Sequence, residues 1–430
     1  MTHNISEDFL HYIWKIKNFN LKHLTSTTGQ DIHITNFGVH NHDSGPDFLN
    51  ASILIDDLAW HGHIEMHIRS SDWIQHNHSQ DPAYDSVILH VVLDNDQTIL
   101  DKNGKPIPTI VLKSRIDPKT FNAYRLLIHK KSPIPCSSWI QHVNDITKSS
   151  MIEKVLAERL TQKSEEILTS LKQNSGDWNE TIYQRLLWSF GLKVNAEACL
   201  RLSSLLPYKI LLKHRDDVLL LESLLFGVAG LIPHESNEYI RQLQEHFSFL
   251  KTKYNLSQMK AVEWKFMRMR PSGFPTIRVA QFARLINSNK RLDKIIFDQN
   301  IPQLQKHFNI KVEDGYWYDH YTFEATSPPK KKTIGQQKLY SILINSVAPL
   351  QYAYGIYVQD DSFKKSAIDL LDSIPPESNY IIRDWKKIGL PSTSASHSQG
   401  LLHLKKHYCD RHKCLSCRIG HQVFKKIQSA

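Results

Sequence analysis

The chain has 430 residues, 41% of them hydrophobic and 10% aromatic, enough for two or three domains with their own cores and against large-scale disorder. Its formal net charge is +10, yet residues 1–100 carry 13 acids against 4 Lys and Arg and hold 12 of the 24 histidines. This asymmetry fits a metal site on an acidic, histidine-rich module and a polyanion-binding surface on the basic remainder. No run of apolar residues is long enough to span a bilayer. Five cysteines, an odd number, speak against a disulfide framework. The opening Met1-Thr2-His3-Asn4 lacks a secretory pattern, so a cytoplasmic location is expected.

In chain order, Ser6 with Glu7 and Asp8 reads as the start of a helix whose stripe is Phe9, Leu10, Ile13 and Trp14. Glu7 there is first a partner of the helix dipole. A strand is expected over 31–36, followed by a polar loop over 38–45 that delivers Pro46-Asp47. Residues 48–55 and 60–68 read as two strands joined by an Asp56-Asp57 turn, a hairpin. The second strand alternates: Trp60, Gly62, Ile64, Met66 and Ile68 on one face, His61, His63, Glu65, His67 and Arg69 on the other. Imidazole and carboxylate are ligands for divalent ions, so Asp47, Glu65, His67 and His63 form the candidate site. The loop carrying His76 and His78 leads to a near-continuous apolar run at 86–93, expected as a buried central strand, and 106–112 reads as an edge strand. Residues 1–115 are thus expected to form an α/β module.

Beyond it, apolar residues recur at helical spacing: Met151, Val155, Leu156 and Leu160, then Ile182, Leu186 and Phe190, then Ile240, Leu243, Phe247 and Leu250. A helical domain is expected over 145–325. In its loop over 268–278, Arg268, Arg270 and Arg278 either contact phosphates or pair with carboxylates. A basic, Pro-containing stretch at 326–333 precedes a C-terminal helical segment, 334–430. That segment ends in Cys409, Cys414 and Cys417, with 7 Lys and Arg against 1 acid over the last 30 residues. Thiolates so spaced hold zinc or an iron–sulfur cluster once a fourth ligand is found, either a nearby histidine (His407, His412, His421) or a distant cysteine, Cys136 or Cys199.

On Gly45-Pro46-Asp47-Phe48, Gly62-His63-Ile64-Glu65-Met66-His67, Ser71-Asp72-Trp73, Arg270-Pro271, Phe274-Pro275-Thr276 and the terminal cysteines, the whole chain resembles an uncharacterised bacterial domain-of-unknown-function family (DUF2851-like). Residues 7–93 also resemble the PD-(D/E)xK nuclease core. That resemblance implies a restriction-endonuclease-like mixed sheet, with Asp47 at the head of one strand, Glu65-x-His67 on its hairpin partner and Glu7 as the helix acid. His67 stands where the motif has Lys, acting as base or ligand but not as a permanent cation. The expected function is a metal-dependent nuclease acting on DNA, in repair or genome defence, with Mg²⁺ or Mn²⁺ on Asp47 and Glu65. The alternatives are a non-catalytic nucleic-acid-binding protein on a degenerate core and a metal hydrolase of a small molecule.

Overall fold

A computed structural model describes residues 5–41, 43–128, 132–234, 237–289, 291–297, 301–313 and 315–429. The chain divides into two compact units: residues Met1–Ile152 with Asp384–Leu390 and Leu402–Ala430, and residues Glu153–Arg383 with Pro391–Leu401. The C-terminal cysteine segment therefore returns to the first unit instead of continuing the helical region.

The first unit is built on a mixed sheet. Its strands are β1 (Ile32–Asn36), β2 (Val39–His40), β3 (Phe48–Ile55), β4 (Leu58–Arg69), β5 (Val87–Asp94) and β6 (Thr109–Val111). Their order is β1-β3-β4-β5-β6, with β2 beside β3. β1, β3 and β4 run antiparallel, while β4, β5 and β6 are parallel neighbours. The β3–β4 turn is made by Asp56 and Asp57, both at positive φ (47° and 68°), where short polar side chains are tolerated. Asp56 also accepts the Asp31 N–H at 2.9 Å, tying the turn to β1. β5 is buried almost throughout, as its near-continuous apolar run requires, with His90 the one polar residue inside it.

The parallel β4–β5 step needs a crossover, and residues 70–86 supply it through a short helix α2 (Asp72–Gln75) and two single turns. Asp96 anchors this crossover: its carboxylate accepts from Ser70 Oγ at 2.9 Å and from Ser71 N and Oγ at 2.9 and 2.7 Å. Gly62 of β4 packs tightly against the start of β5. A Cβ there would lie 2.4 Å from the Ser86 carbonyl oxygen and 2.6 Å from Ile88 Cγ2. Gly62→Ala is therefore expected to destabilise the sheet by about 1–3 kcal/mol, measured by denaturant unfolding, through overpacking against backbone that cannot yield.

Helix α1 (Glu7–Lys15) packs on β4, burying Phe9, Leu10, Ile13 and Trp14, the stripe expected from its spacing. Phe9 stacks on Tyr124 of α3 (Pro118–Ile128) at 4.5 Å between ring centroids. The C-terminal helix Arg418–Ser429 also packs on α3 and meets Tyr12 through Phe424. The second unit is mostly helical around one apolar core that includes Leu186, Phe190, Leu243, Ile277 and Phe282. Among the described residues no helix is long and apolar enough to cross a membrane.

Candidate metal centre

β3 begins at Phe48, opposite Ile64, so Asp47 and Glu65 meet where the antiparallel ladder stops. Side chains replace the ladder there. The Asp47 N–H donates to Glu65 Oε2 at 3.1 Å, and the Met66 N–H donates to Asp47 Oδ2 at 2.9 Å. Asn41 clasps the preceding loop, its Nδ2 donating to the Ser44 and Pro46 carbonyls at 3.1 Å each. Two carboxylates are thus fixed side by side with oxygens to spare.

Four elements bring imidazoles to them. His11 lies one turn beyond Glu7 on α1, and its Nε2 is 3.1 Å from Asp47 Oδ2. His78, in the crossover, places Nε2 3.2 Å from Glu65 Oε1, and its ring stacks on Tyr84 at 3.8 Å. Both Nε2 atoms are buried and lack an aligned hydrogen-bond partner. His67 Nε2 is 3.6 Å from Glu65 Oε1 and 3.2 Å from His76 Nδ1, while its Nδ1 is 2.9 Å from His90 Nε2. One ligand atom each from His67, His76 and His78 lies within 4.8 Å of the others. A hollow of about 340 Å³ beside them is bordered by Trp60, His61, Trp73, His78, Tyr84 and Lys102.

The electrostatics set acids against one another. Burial, then the charge of Asp47, raises Glu7 from the usual 4.5 to about 7, with His11 opposing. Burial and Asp47 raise Glu65 as well, against the pull of His78. His11 is raised: burial disfavours its charge, but Asp47, Glu7 and Asp8 outweigh it. Burial, then the neighbouring His90, His78 and His76, drives His67 down to about 2, and burial drives His90 down to about 3. Crowded carboxylates beside neutral imidazoles suit a divalent ion. The share of nitrogen donors favours Mn²⁺ or Zn²⁺ over Mg²⁺, which takes oxygen ligands.

Of the residues expected from sequence, Asp47, Glu65 and His67 converge, and Glu7 lies close enough to feel Asp47. Glu65 and His67 are not on an open strand face: they are 5% and 0% exposed, with His67 in ring contact with Trp73, His76 and His78 of the crossover. His63 stands apart, half-buried, its Nδ1 accepting the Asn50 N–H at 3.3 Å. Among the described residues no contact joins it to the cluster. Arg69 turns to Asp72, 3.3 Å away. His11, His76, His78 and His90 are additional members. The pair Glu7-x3-His11 and the pair His76-x-His78 are legible signals, whereas His90 is placed only by its register opposite Glu65.

Arg268 and Arg270 are exposed. Arg278 is not: it is 4% exposed, donating to Gln281 Oε1 at 2.7 Å and the Ser272 carbonyl at 3.0 Å, and burial lowers it to about 10. Its phosphate-contacting role is thereby corrected to one of holding the 268–278 loop on its helix. Arg278→Ala is expected to cost about 1.5–3 kcal/mol of stability in thermal or denaturant unfolding, the value of buried hydrogen bonds to a charged group. Cys199 is sealed in the core of the second unit.

Comparison with curated proteins and with solved structures gave no match. Residues 7–380 match the family described as "Protein of unknown function (DUF2851)", a span that contains the whole carboxylate–histidine cluster and ends before the terminal cysteines.

Proposed function

Because the chain belongs to the DUF2851 family, which brings no activity with it, we propose from the site itself that the protein is a metal-dependent phosphodiesterase acting on DNA. One observation carries the reading: two interlocked carboxylates, Asp47 and Glu65, with His11 Nε2 at 3.1 Å from the first and His78 Nε2 at 3.2 Å from the second. The nuclease class is supported by the placement of those groups, a helix acid, an Asp at a strand head and Glu-x-His on its hairpin partner. The order of a helix, antiparallel strands, a crossover and a parallel strand supports it too.

In this reading Asp47 and Glu65 would hold the ion, with His11 and His78 beside them. A bound divalent ion lowers the pKa of its water and neutralises phosphate oxygens. Glu7, with its proton affinity near neutrality, is the group suited to take a proton in the working range. His67 is not the solvent-facing base: it is buried and neutral, spans His90 and His76, and orients the crossover histidines. DNA is held through its backbone by distributed Lys and Arg, of which the chain has 53 against 43 acids. The reading of an inactive core that only binds nucleic acid draws on one observation, the missing lysine, with Arg69 engaged by Asp72.

The test is incubation of purified protein with single-stranded, double-stranded and branched DNA and with RNA, in Mn²⁺ or Mg²⁺. The expected result is DNA cleavage, stronger with Mn²⁺ and abolished by EDTA. Salt-sensitive DNA retention without cleavage of any substrate would instead establish a binding module. Neither cleavage nor retention would leave hydrolysis of a small molecule.

A further inference from the structure

In the second unit, two helices turn cations towards one residue of a third. Helix α4 (Asp145–Gln173) carries Arg159 and Lys163 one turn apart, on the same face. Helix α5 (Trp178–Phe190) carries Arg185. They meet at Asn345, in the π-helical turn Leu343–Val347 that interrupts the helical run from Gln336 to Tyr357. Lys163 Nζ donates to Asn345 Oδ1 at 2.9 Å, and Arg185 Nη2 donates to the Asn345 carbonyl at 3.0 Å. Pro349 helps to free that carbonyl, because it stands four residues on and has no N–H to give it. Ser346 Oγ closes the clasp, donating to the Arg185 carbonyl at 3.1 Å. Single π-turns inside α-helices are frequent at functional sites.

The three cations are half-buried and meet little negative charge. Arg185 has one carboxylate in reach among the described residues, Glu166 Oε2 at 3.8 Å, on a side chain that is 59% exposed. Arg159 does not touch Glu377 directly. The amide of Gln399 stands between them, accepting Arg159 Nε at 2.6 Å and donating through Nε2 to Glu377 Oε2. Lys163 is met by the Asn345 amide oxygen, a neutral acceptor. Arg185 Nε is buried and lacks a hydrogen-bond partner among the described residues. Like charges one helical turn apart repel, and charges taken out of water need a counter-charge. Cations gathered on amides and a carbonyl have that counter-charge only in part. A hollow of about 100 Å³ lies beside Arg185, bordered by Glu166, Gln184 and Trp188, with the guanidinium 4.3 Å above the Trp188 ring. Pockets for whole cofactors measure about 300–1,000 Å³. This one suits a single small anionic group, and a guanidinium held over an aromatic ring is a recurrent phosphate binder.

We propose that Arg159, Lys163 and Arg185 bind one phosphate group, with Arg185 Nε among its donors and the π-turn at Asn345 setting Lys163 and Arg185 side by side. The phosphate is either the free anion or the terminal phosphate of a nucleic-acid chain. The site shares no residue with the carboxylate–histidine centre and does not depend on DNA cleavage.

The experiment is calorimetric titration and thermal melting of the full chain in EDTA, so that no metal centre takes up the anion. The probes are inorganic phosphate, chloride at matched ionic strength, and one oligonucleotide with a 5′-phosphate or a 5′-hydroxyl. Wild type, Lys163→Gln and Arg185→Gln are compared. Wild type is expected to bind one phosphate per chain and to melt higher in phosphate than in chloride. Each variant should weaken phosphate binding by about tenfold or more, the scale of one hydrogen bond to a charged group. Preference for the 5′-phosphorylated oligonucleotide, lost in both variants, identifies the chain end as the source. Equal binding of the two oligonucleotides, with phosphate still bound, identifies the free anion. No phosphate binding by wild type, or affinity unchanged in both variants, would overturn the site. A purely structural role for Lys163 is separated by the melts in chloride. There Lys163→Gln should be at least as stable as wild type, since it removes a repelling charge, and a large loss of stability would contradict the proposal. Where Arg185→Gln does not fold, Lys163→Gln and the wild-type titration decide.

Discussion

Asp47→Asn and Glu65→Gln should each reduce metal-dependent DNA cleavage by about 100-fold or more, since loss of groups that merely orient ligands already costs 10–100-fold. The amide variants are preferable to alanine for a physical reason. Asp47 Oδ2 accepts the Met66 N–H and Glu65 Oε2 accepts the Asp47 N–H, so truncation would strand backbone donors and cost about 1–3 kcal/mol of stability as well. An amide keeps an acceptor oxygen while removing the charge that a divalent ion requires. DNA retention should be nearly unchanged in both variants and should fall steeply with added salt, as the proposed backbone contacts from dispersed Lys and Arg require. Retention lost in parallel with cleavage would mean that the site binds DNA directly and not through a metal.

Metal binding should stabilise the protein far more at pH 7.5 than at pH 5.5. His67 and His90 have folded values near 2 and 3, below their ordinary 6.5, so their contribution is complete above pH 6.5 and is lost as pH falls. Each removes about 1.4 kcal/mol per pH unit once pH is well under 6.5. Glu7, Glu65 and His11 are raised and act in the opposite sense. Their stabilisation is present at low pH and is lost as pH rises, for Glu7 between 4.5 and about 7. The metal-free protein should therefore melt highest in the mildly acidic range between these limits. At pH 7.5 Glu7 has lost most of its proton, and a divalent cation supplies the missing positive charge. Saturating Mn²⁺ at ~100 times its Kd adds about 2.7 kcal/mol. Thermal melts with and without Mn²⁺ at the two pH values check this, and equal shifts at both would contradict the linkage.

Local patterns in the sequence were enough to foresee the carboxylate pair but not the pocket around it. The α1 stripe, the Asp56-Asp57 turn and the apolar run of β5 are short-range signals, and each element forms where its pattern places it. The two-residue turn alone would set Phe48 opposite Glu65; a register shift between Phe48 and Ala51, with Asn50 at positive φ (58°), brings Asp47 beside it. The histidines could not be sorted by local pattern. His61, His63 and His67 share one strand face, and only the position of the crossover decides that His67 is buried with His76 and His78 while His63 is left with Asn50. His90 lies in an apolar run that reads as core, and it joins the site only through the parallel register Glu65↔His90. Arg278 looked like a phosphate contact because its loop is basic, and nothing in its immediate neighbours showed that it would be buried against Gln281. The return of the C-terminal cysteine segment to the first unit is a long-range event of the same kind, which composition and periodicity do not encode.

The most direct test of the central claim is a crystal structure of Mn²⁺-soaked protein with an anomalous difference map at a wavelength where manganese scatters anomalously. A peak is expected against the Asp47 and Glu65 carboxylates, on the side of the crossover histidines. A well-ordered crystal whose map is empty there would contradict the metal site.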